Sequence, residues 1–452
     1  MNSLEWRVTA SLAAIYAVRM LGLFMILPVF ALYAETLPDS TPFLAGLAIG
    51  IYGLSQAIFQ IPLGIFSDRV GRKPVIIGGL LVFAAGSVIA ALAHSMWLII
   101  IGRAIQGMGA VAGPTMALAA DLTREENRTR IMAVIGMVIG LSFMGGMILG
   151  PIISQFAGVA GIFWLTMLLA LAGIALVVLA VPTPVHSTQH RDAGIIKGYL
   201  GKALGNASLL RMNAGVFIIH LVMTANFLVL PGIFEHGLSL PRAEHWKVYL
   251  PVFAGSFLLA IPLIIIAEKK HKIRVLLLGS TVALLLAEAG MALGHTQIAW
   301  LLAAFFLFFV GFNFLEAVQP SLVAKYSDVN TKGTAMGIFS SSQFLGIFAG
   351  GSLGGMVNNA WGATGVFVFS ALVVGVWWLL ALQLPQPKFY ASQVLKLDPL
   401  LFADKARLHQ DLLAIPGVKE VAVVAEECVA YLKVDKENLD QEALRAFSGV
   451  AA

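Results

Sequence analysis

The sequence predicts an all-α membrane protein of twelve transmembrane helices in two six-helix halves, followed by a small α+β domain. Three observations point there. Of the 452 residues, 59% are hydrophobic and only 12% charged, with a mean hydropathy of +0.88. A soluble domain is about half apolar and a quarter charged, so a soluble fold could not cover its surface with these residues. About twelve apolar runs reach the roughly 20 residues that cross a bilayer. Residues 389–452 contain no such run and carry net −3, against +8 for residues 1–388. Disorder, a coiled coil and a disulfide-rich secreted fold are excluded as well; the single cysteine, Cys428, allows no intrachain bridge.

The spans follow in order. Span 1 is expected near 8–34, too long for the core of a signal peptide, and span 2 follows at once near 43–66. Spans 3 to 6 lie near 74–94, 97–120, 131–155 and 160–181. The polar segment 183–206, with Pro184, His186, His190 and Arg191, then divides the spans six and six. Spans 7 to 12 lie near 211–234, 247–267, 274–294, 297–324, 334–357 and 361–384. The domains are therefore a bundle at 1–182, a linker at 183–206, a second bundle at 207–387 and a tail domain at 388–452.

Basic residues crowd one set of alternate loops. Arg69, Arg72 and Lys73, then Arg124, Arg128 and Arg130, then Lys269, Lys270, Lys272 and Arg274 belong to it, while the opposite set holds Arg242 and Lys247. Positive loops stay in the cytoplasm, which places both termini and the tail there. The loops also repeat. Ile61-Pro62-Leu63 leads through Asp68-Arg69 to Arg72, and about 200 residues later Ile261-Pro262-Leu263 leads through Glu268-Lys269 to Lys272. Parallel repeats of this kind build transporters with a site between their halves.

Three stretches carry sharper signals. The loop between spans 2 and 3 reads Gly64-Ile65-Phe66-Ser67-Asp68-Arg69-Val70-Gly71-Arg72-Lys73. Gly64 would let two helices approach closely, and Gly71 permits a turn with positive φ. Asp68, at the membrane edge, needs a partner such as Arg72 or the positive end of a helix. In span 4, Arg103, Gln106, Gly107 and Ala110 fall on one helical face. An arginine inside a span faces the bundle interior or a water-filled cavity, or ties helices together through backbone carbonyls. In span 5, Gly146, Gly150 and Pro151 follow Gly136, Gly140 and Gly145, small residues suited to close packing before a helix-bending proline.

These stretches resemble motifs A, B and C of the major facilitator superfamily, in its proton-coupled drug and efflux antiporter branch. The first matches at Gly64, Asp68, Arg69, Gly71, Arg72 and Lys73, and departs mildly at Phe66 and Ser67; the third lacks the final two glycines, with Ser154-Gln155 in their place. The resemblance implies an ionic latch of Asp68, Arg72 and Asp121, with Asp68 meeting the start of span 11 near Gly333-Thr334 in the outward-open state. The second copy lacks both glycines, so a weaker latch is expected there. The resemblance also implies a part in proton coupling for Arg103 and Gln106, alternating access, and placement in a bacterial inner membrane.

Few other ionisable groups lie within spans. Arg19 is mid-span in span 1 and Glu316 is in span 10. A carboxyl in an apolar site can exchange protons near neutral pH. Glu316 is the best candidate carrier, because Asn313 and Gln319 share its face; Asn226 in span 7 is a further cavity candidate. Glu288 in span 9 reads as a packing or lipid-edge residue, and the run Phe305-Phe306-Leu307-Phe308-Phe309 as lipid contact and packing.

The tail changes rhythm. Strand patterns at 393–397, 418–425 and 429–434 and helical patterns at 402–414 and from Asn438 or Asp440 to Phe447 give the order βαββα. This resembles a ferredoxin-like domain of the heavy-metal-associated type, without the paired cysteines that bind metal. Neither metal nor cofactor is expected. No nucleophile set or phosphate-binding loop appears, so the chain is not expected to be an enzyme. The expected partners are a small-molecule substrate, protons and the bilayer, not nucleic acid, and the chain is expected to act as a monomer. Proton-coupled efflux leads; uptake by symport or facilitated diffusion, and a transporter-like sensor signalling through the tail, are the alternatives.

Overall fold

Apolar helices need local signals to start and stop, and these are visible at several loops. The structure, a computed structural model, describes residues 3–123, 125–183, 197–328, 331–387, 390–424, 428–435 and 438–447. Most of the expected linker, with His186, His190 and Arg191, lies outside the described residues, as do Arg124 and the expected hairpin residues Glu426 and Glu427. Span 2 (Pro42–Val70) is capped by Thr41, whose hydroxyl accepts from the Leu44 N–H at 3.2 Å. Ser95 does the same for span 4 through Leu98. Asn206 caps span 7 (Ala207–Gly232) by accepting from Ser208 and Leu209. Each cap satisfies amides that a helix start leaves without carbonyls.

Among the described residues ten apolar helices are long enough to cross a membrane, and two of them are double. Spans 5 and 6 form one run, Glu125–Leu179, turned at Gly158 (φ 65°); spans 11 and 12 form another, Lys332–Ala381, turned at Gly362 (φ 64°). Twelve spans result. Span 3 is Arg72–Ala91, span 8 Trp246–Lys269, span 9 Ile273–Gly294 and span 10 Ile298–Tyr326. Two spans are broken. Span 1 (Ser3–Phe24 and Leu27–Ala34) bends before Pro28, which has no N–H to give. Span 4 (Met96–Met108 and Ala112–Asp121) is interrupted at Gly109, so Ala110 does not continue the face of Arg103 and Gln106 as its spacing implied.

Leu293, Phe156 and Leu179 are 86%, 83% and 77% exposed, part of an apolar outer surface suited to lipid. The two halves meet at the end away from the motif loop. Gly46, Gly50 and Gly53 of span 2 lie against Gly355, Gly351, Phe348 and Phe344 of span 11; a Cβ on Gly50 would stand 2.8 Å from the Phe348 oxygen. Phe143 of span 5 packs on Phe253 (5.5 Å between ring centroids), Phe309 and Phe312 of the other half. The aromatic run of span 10 is therefore largely interior: Phe305, Phe308 and Phe309 are fully buried, which corrects the lipid-contact part of the expectation.

The tail is a three-stranded antiparallel sheet, β1 (Ala391–Lys396), β2 (Val418–Val424) and β3 (Val429–Val434) in the order β1-β3-β2. Helices α1 (Lys405–Ala414) and α2 (Gln441–Arg445) complete the βαββα order. Leu408 and Leu412 of α1 and Leu444 of α2 pack on Leu395, Val421 and Leu432 of the sheet. The Lys433 ammonium, buried, donates to the Ser327 carbonyl after span 10 and pairs with Glu420 at 3.3 Å, so the tail is docked on the second half.

Candidate functional site

The motif loop folds back on the end of span 2. Gly71 ends span 2 at φ 103°, its N–H donating to the Ser67 carbonyl at 3.1 Å. A side chain would be strained there. The turn brings Arg72 back onto span 2, where its guanidinium donates to Asp68 and to Ser67 Oγ (2.8 Å), and across to Asp121 Oδ2 of span 4 (3.2 Å). The Arg72 and Asp121 side chains are 2% and 0% exposed. Lys73 donates to the Val181 carbonyl at 2.8 Å, tying span 3 to the end of span 6. Arg69 is exposed and makes no ion pair among the described residues. A Cβ on Gly64 would meet nothing within 4 Å, so no contact demands a glycine there in this conformation; beside it Ile61, Pro62, Ile65, Phe66 and Arg69 line an open groove. In the second copy Glu268 takes two bonds from Lys325 of span 10, the shorter 2.7 Å, and a third from Ser321.

The first half carries a buried basic cluster. Arg19 donates to Gln56 and to the Tyr52 hydroxyl (3.2 Å), and Gln56 donates to Gln60 (3.1 Å). Arg103 donates to Gln106 (2.9 Å) and to the Ala48 carbonyl (3.4 Å), and lies 4.8 Å from the Tyr52 ring centroid. Gln106 donates to Ser87 at 2.7 Å. Arg19 and Arg103 are each 1% exposed and form no ion pair among the described residues. Gly107 allows the approach, since a Cβ there would press on Tyr52 and Ser55 of span 2.

Span 5 supports the bend of span 1. Cβ atoms on Gly146 and Gly150 would run into Phe24, Met25 and Pro28, while the helix continues through Pro151. Gly136 and Gly140 face open space, so the close-packing face is shorter than the glycine spacing implied.

The second half carries acids. Glu316 Oε2 lies 3.7 Å from His220 Nε2, and the Gln343 amide donates to His220 Nε2 (2.8 Å) and to Glu316 Oε1 (3.4 Å). His220 Nδ1 donates to the Val216 carbonyl at 3.0 Å, which leaves Nε2 as the acceptor. The Glu316 side chain is 38% exposed and that of His220 5%. Asn313 turns instead to Ser256 of span 8 (3.0 Å), and Gln319 is fully buried. Asn226 is not in this cluster either. It donates to Glu288 Oε1 at 2.7 Å, and Glu288 is fully buried, which overturns its lipid-edge reading. His220, Gln343, Tyr52 and Gln56 did not stand out in the sequence. Polar side chains in spans were the available signal, but their partners lie on other helices.

The family model described as Major Facilitator Superfamily matches residues 12–348 and again 212–407. The chain belongs to this superfamily. It is a multi-pass membrane transporter by that membership, and residues 399–440 match the YajR YAM domain. It is 44% identical to the inner membrane transport protein YajR of Escherichia coli strain K12, over 96% of this chain and 95% of that one. It is 26% identical to the multidrug resistance protein MdtH of Klebsiella pneumoniae, over 83% and 94%. Among solved structures, a bacterial homolog of the human lysosomal transporter Spinster superposes with a TM-score of 0.68 at 12% identity, covering 84% of this chain and 97% of that one.

Proposed function

We propose that the chain exports small molecules across a bacterial inner membrane in exchange for protons, with Glu316 as the proton carrier. The observation that carries this is the Glu316–His220–Gln343 cluster, two titratable groups 3.7 Å apart with the carboxyl partly exposed. Neutral His220 accepts from Gln343. A proton on His220 would turn Nε2 into a donor toward Glu316, so proton arrival rewires the cluster and the helices that hold it. A partly exposed carboxylate can bind either a proton or a cationic group of a substrate, which would couple the two by competition. Gly146 and Gly150 against the span 1 bend, and the names of the YajR and MdtH relatives, support export from an inner membrane. The basic loops support a cytoplasmic position for the motif end, the termini and the tail. In that orientation the closed glycine seam faces outward and the groove at Gly64 faces the cytoplasm.

Flux in reconstituted vesicles under an imposed pH gradient tests this. Acid-inside vesicles holding the protein should accumulate substrate with proton release, and Glu316→Gln should keep downhill counterflow while losing at least tenfold of the gradient-driven accumulation. Accumulation only in acid-outside vesicles, with proton uptake in the same direction, would point to symport, and unchanged coupling in Glu316→Gln would remove the carrier.

A further inference from the structure

Asn226 and Glu288 form a second pair, in the wall of the C-terminal half between spans 7 and 9 and apart from Glu316. We propose that Glu288 holds a proton at neutral pH, making this pair a proton-binding site of its own. Asn226 is 1% exposed and Glu288 fully buried. The Asn226 amide donates to Oε1, and two polar atoms are left over: Asn226 Oδ1 and Glu288 Oε2, both buried without a partner among the described residues. Both are acceptors as long as Glu288 is ionised. No ion pair forms at Glu288 among the described residues. A carboxylate with one donor and no cation is among the most unfavourable groups a membrane protein can bury. One proton removes the charge and turns Oε2 into the donor that the pair lacks.

The surrounding ionisable groups leave this balance unchanged. On span 8, Tyr249 lies beside Phe227, ring centroids 6.1 Å apart, with its hydroxyl buried and unpartnered among the described residues. On span 7, His220 is six residues from Asn226, about 9 Å along the helix, and is engaged with Gln343. His295 is seven residues beyond Glu288, about 10 Å, and bonds to the Met291 carbonyl. Glu316 and Lys325 of span 10, Glu268 of span 8, and Arg274 at the start of span 9 lie toward the motif end. Span 12 carries no Asp, Glu, His, Lys or Arg. Asn226 follows Ala225, against which Gly354 of the span 11 seam is packed, so the proton holds a helix that backs the closed interface.

Infrared absorption of the full-length protein in lipid vesicles at pH 8 tests the site. The expected result is a protonated-carboxyl carbonyl band that shifts in D2O, persists in Glu316→Gln, moves in Asn226→Ser and is lost in Glu288→Gln. Persistence in Glu316→Gln separates this proton from the one proposed for transport. Absence of the band from the wild type overturns the proposal, whether or not any variant folds. Stability gives a second readout. A folded state that keeps a proton the unfolded chain releases loses stability as pH rises above the unfolded carboxyl pKa, about 4.3. The wild-type unfolding constant should therefore rise tenfold per pH unit relative to Glu288→Gln, whose amide supplies the missing donor permanently; parallel profiles also overturn the proposal.

Discussion

The N-terminal half buries two arginines, Arg19 and Arg103, among glutamines and Tyr52, and its acids Asp68 and Asp121 stand at the motif end around Arg72. The C-terminal half places Glu288 and Glu316 within its spans, beside Asn226, His220 and Gln343, and its lysines stand at the ends. The related folds have thus been filled with opposite chemistry. An arginine keeps its charge at every physiological pH, so the first half offers a fixed positive scaffold. Carboxyl and imidazole groups exchange protons, so under the proposal above the coupled proton would be carried by the second half.

The ionic networks at the motif end sharpen this contrast most. Arg72 and Asp121 are almost completely buried, whereas the Glu268 and Lys325 side chains are 39% and 14% exposed. Breaking a buried pair leaves a stranded charge and costs about 3–5 kcal/mol, while a solvated pair contributes about 0–1 kcal/mol. Asp121→Asn should therefore lower the unfolding free energy by about 3 kcal/mol, the low end of that range because Arg72 keeps Asp68. Glu268→Gln should lower it by less than about 1 kcal/mol. Denaturation of the two purified variants in one detergent measures both, and equal losses would show that the halves are held alike.

The seam between the halves gives the next effect. A Cβ on Gly351 would stand 2.9 Å from the Gly50 amide nitrogen, and backbone cannot retreat as a flexible side-chain tip can. Overpacking a close contact costs about 1–3 kcal/mol, or five- to 150-fold in an equilibrium. If the seam opens and closes by alternating access, Gly351→Val should shift the protein toward the state with spans 2 and 11 apart. Flux should fall by about tenfold, while insertion and helix content stay as in the wild type. A cysteine pair across the outer ends of spans 2 and 11 should lose crosslinking in this background; full crosslinking would show that the seam accommodates the side chain.

The same contrast explains what the sequence could disclose. Twelve spans, the halves and the βαββα tail rest on patterns within one segment, and those patterns are strong. The motif loop was legible because Asp68, Gly71 and Arg72 act on one another over four residues. Glu288 was opaque because its partner is 62 positions away and its own neighbours are leucine and alanine. The phenylalanines of span 10 look lipid-facing because their run circles the helix, but spans 5, 7 and 8 cover them. Glycine spacing likewise marked Gly146 and Gly150 for close packing, yet could not name span 1 as their partner or tell them from Gly136 and Gly140, which face open space. Pairings between helices decide the site, and one-dimensional periodicity does not encode them.

The smallest effect is expected at the surface of the C-terminal half. Lys202, in the short helix before span 7, meets Asp328 at 2.9 Å with both side chains about half exposed, and the bond to Asp328 holds the ammonium pKa above its ordinary value. For a lysine whose pKa is raised on folding, the stabilisation is complete below the unfolded pKa, about 10.4, and is lost only as pH rises past it. Between pH 6 and 9 this pair can contribute no slope. Lys202→Gln should therefore leave the thermal midpoint unchanged within error at physiological salt and keep the wild-type pH profile across that range. A clear drop in midpoint, deepened at low salt, would mean that the loop between spans 10 and 11, where the tail also docks through Lys433, is held by charge. The contrast between a fixed basic half and a titratable acidic half would then extend to the tail's point of attachment.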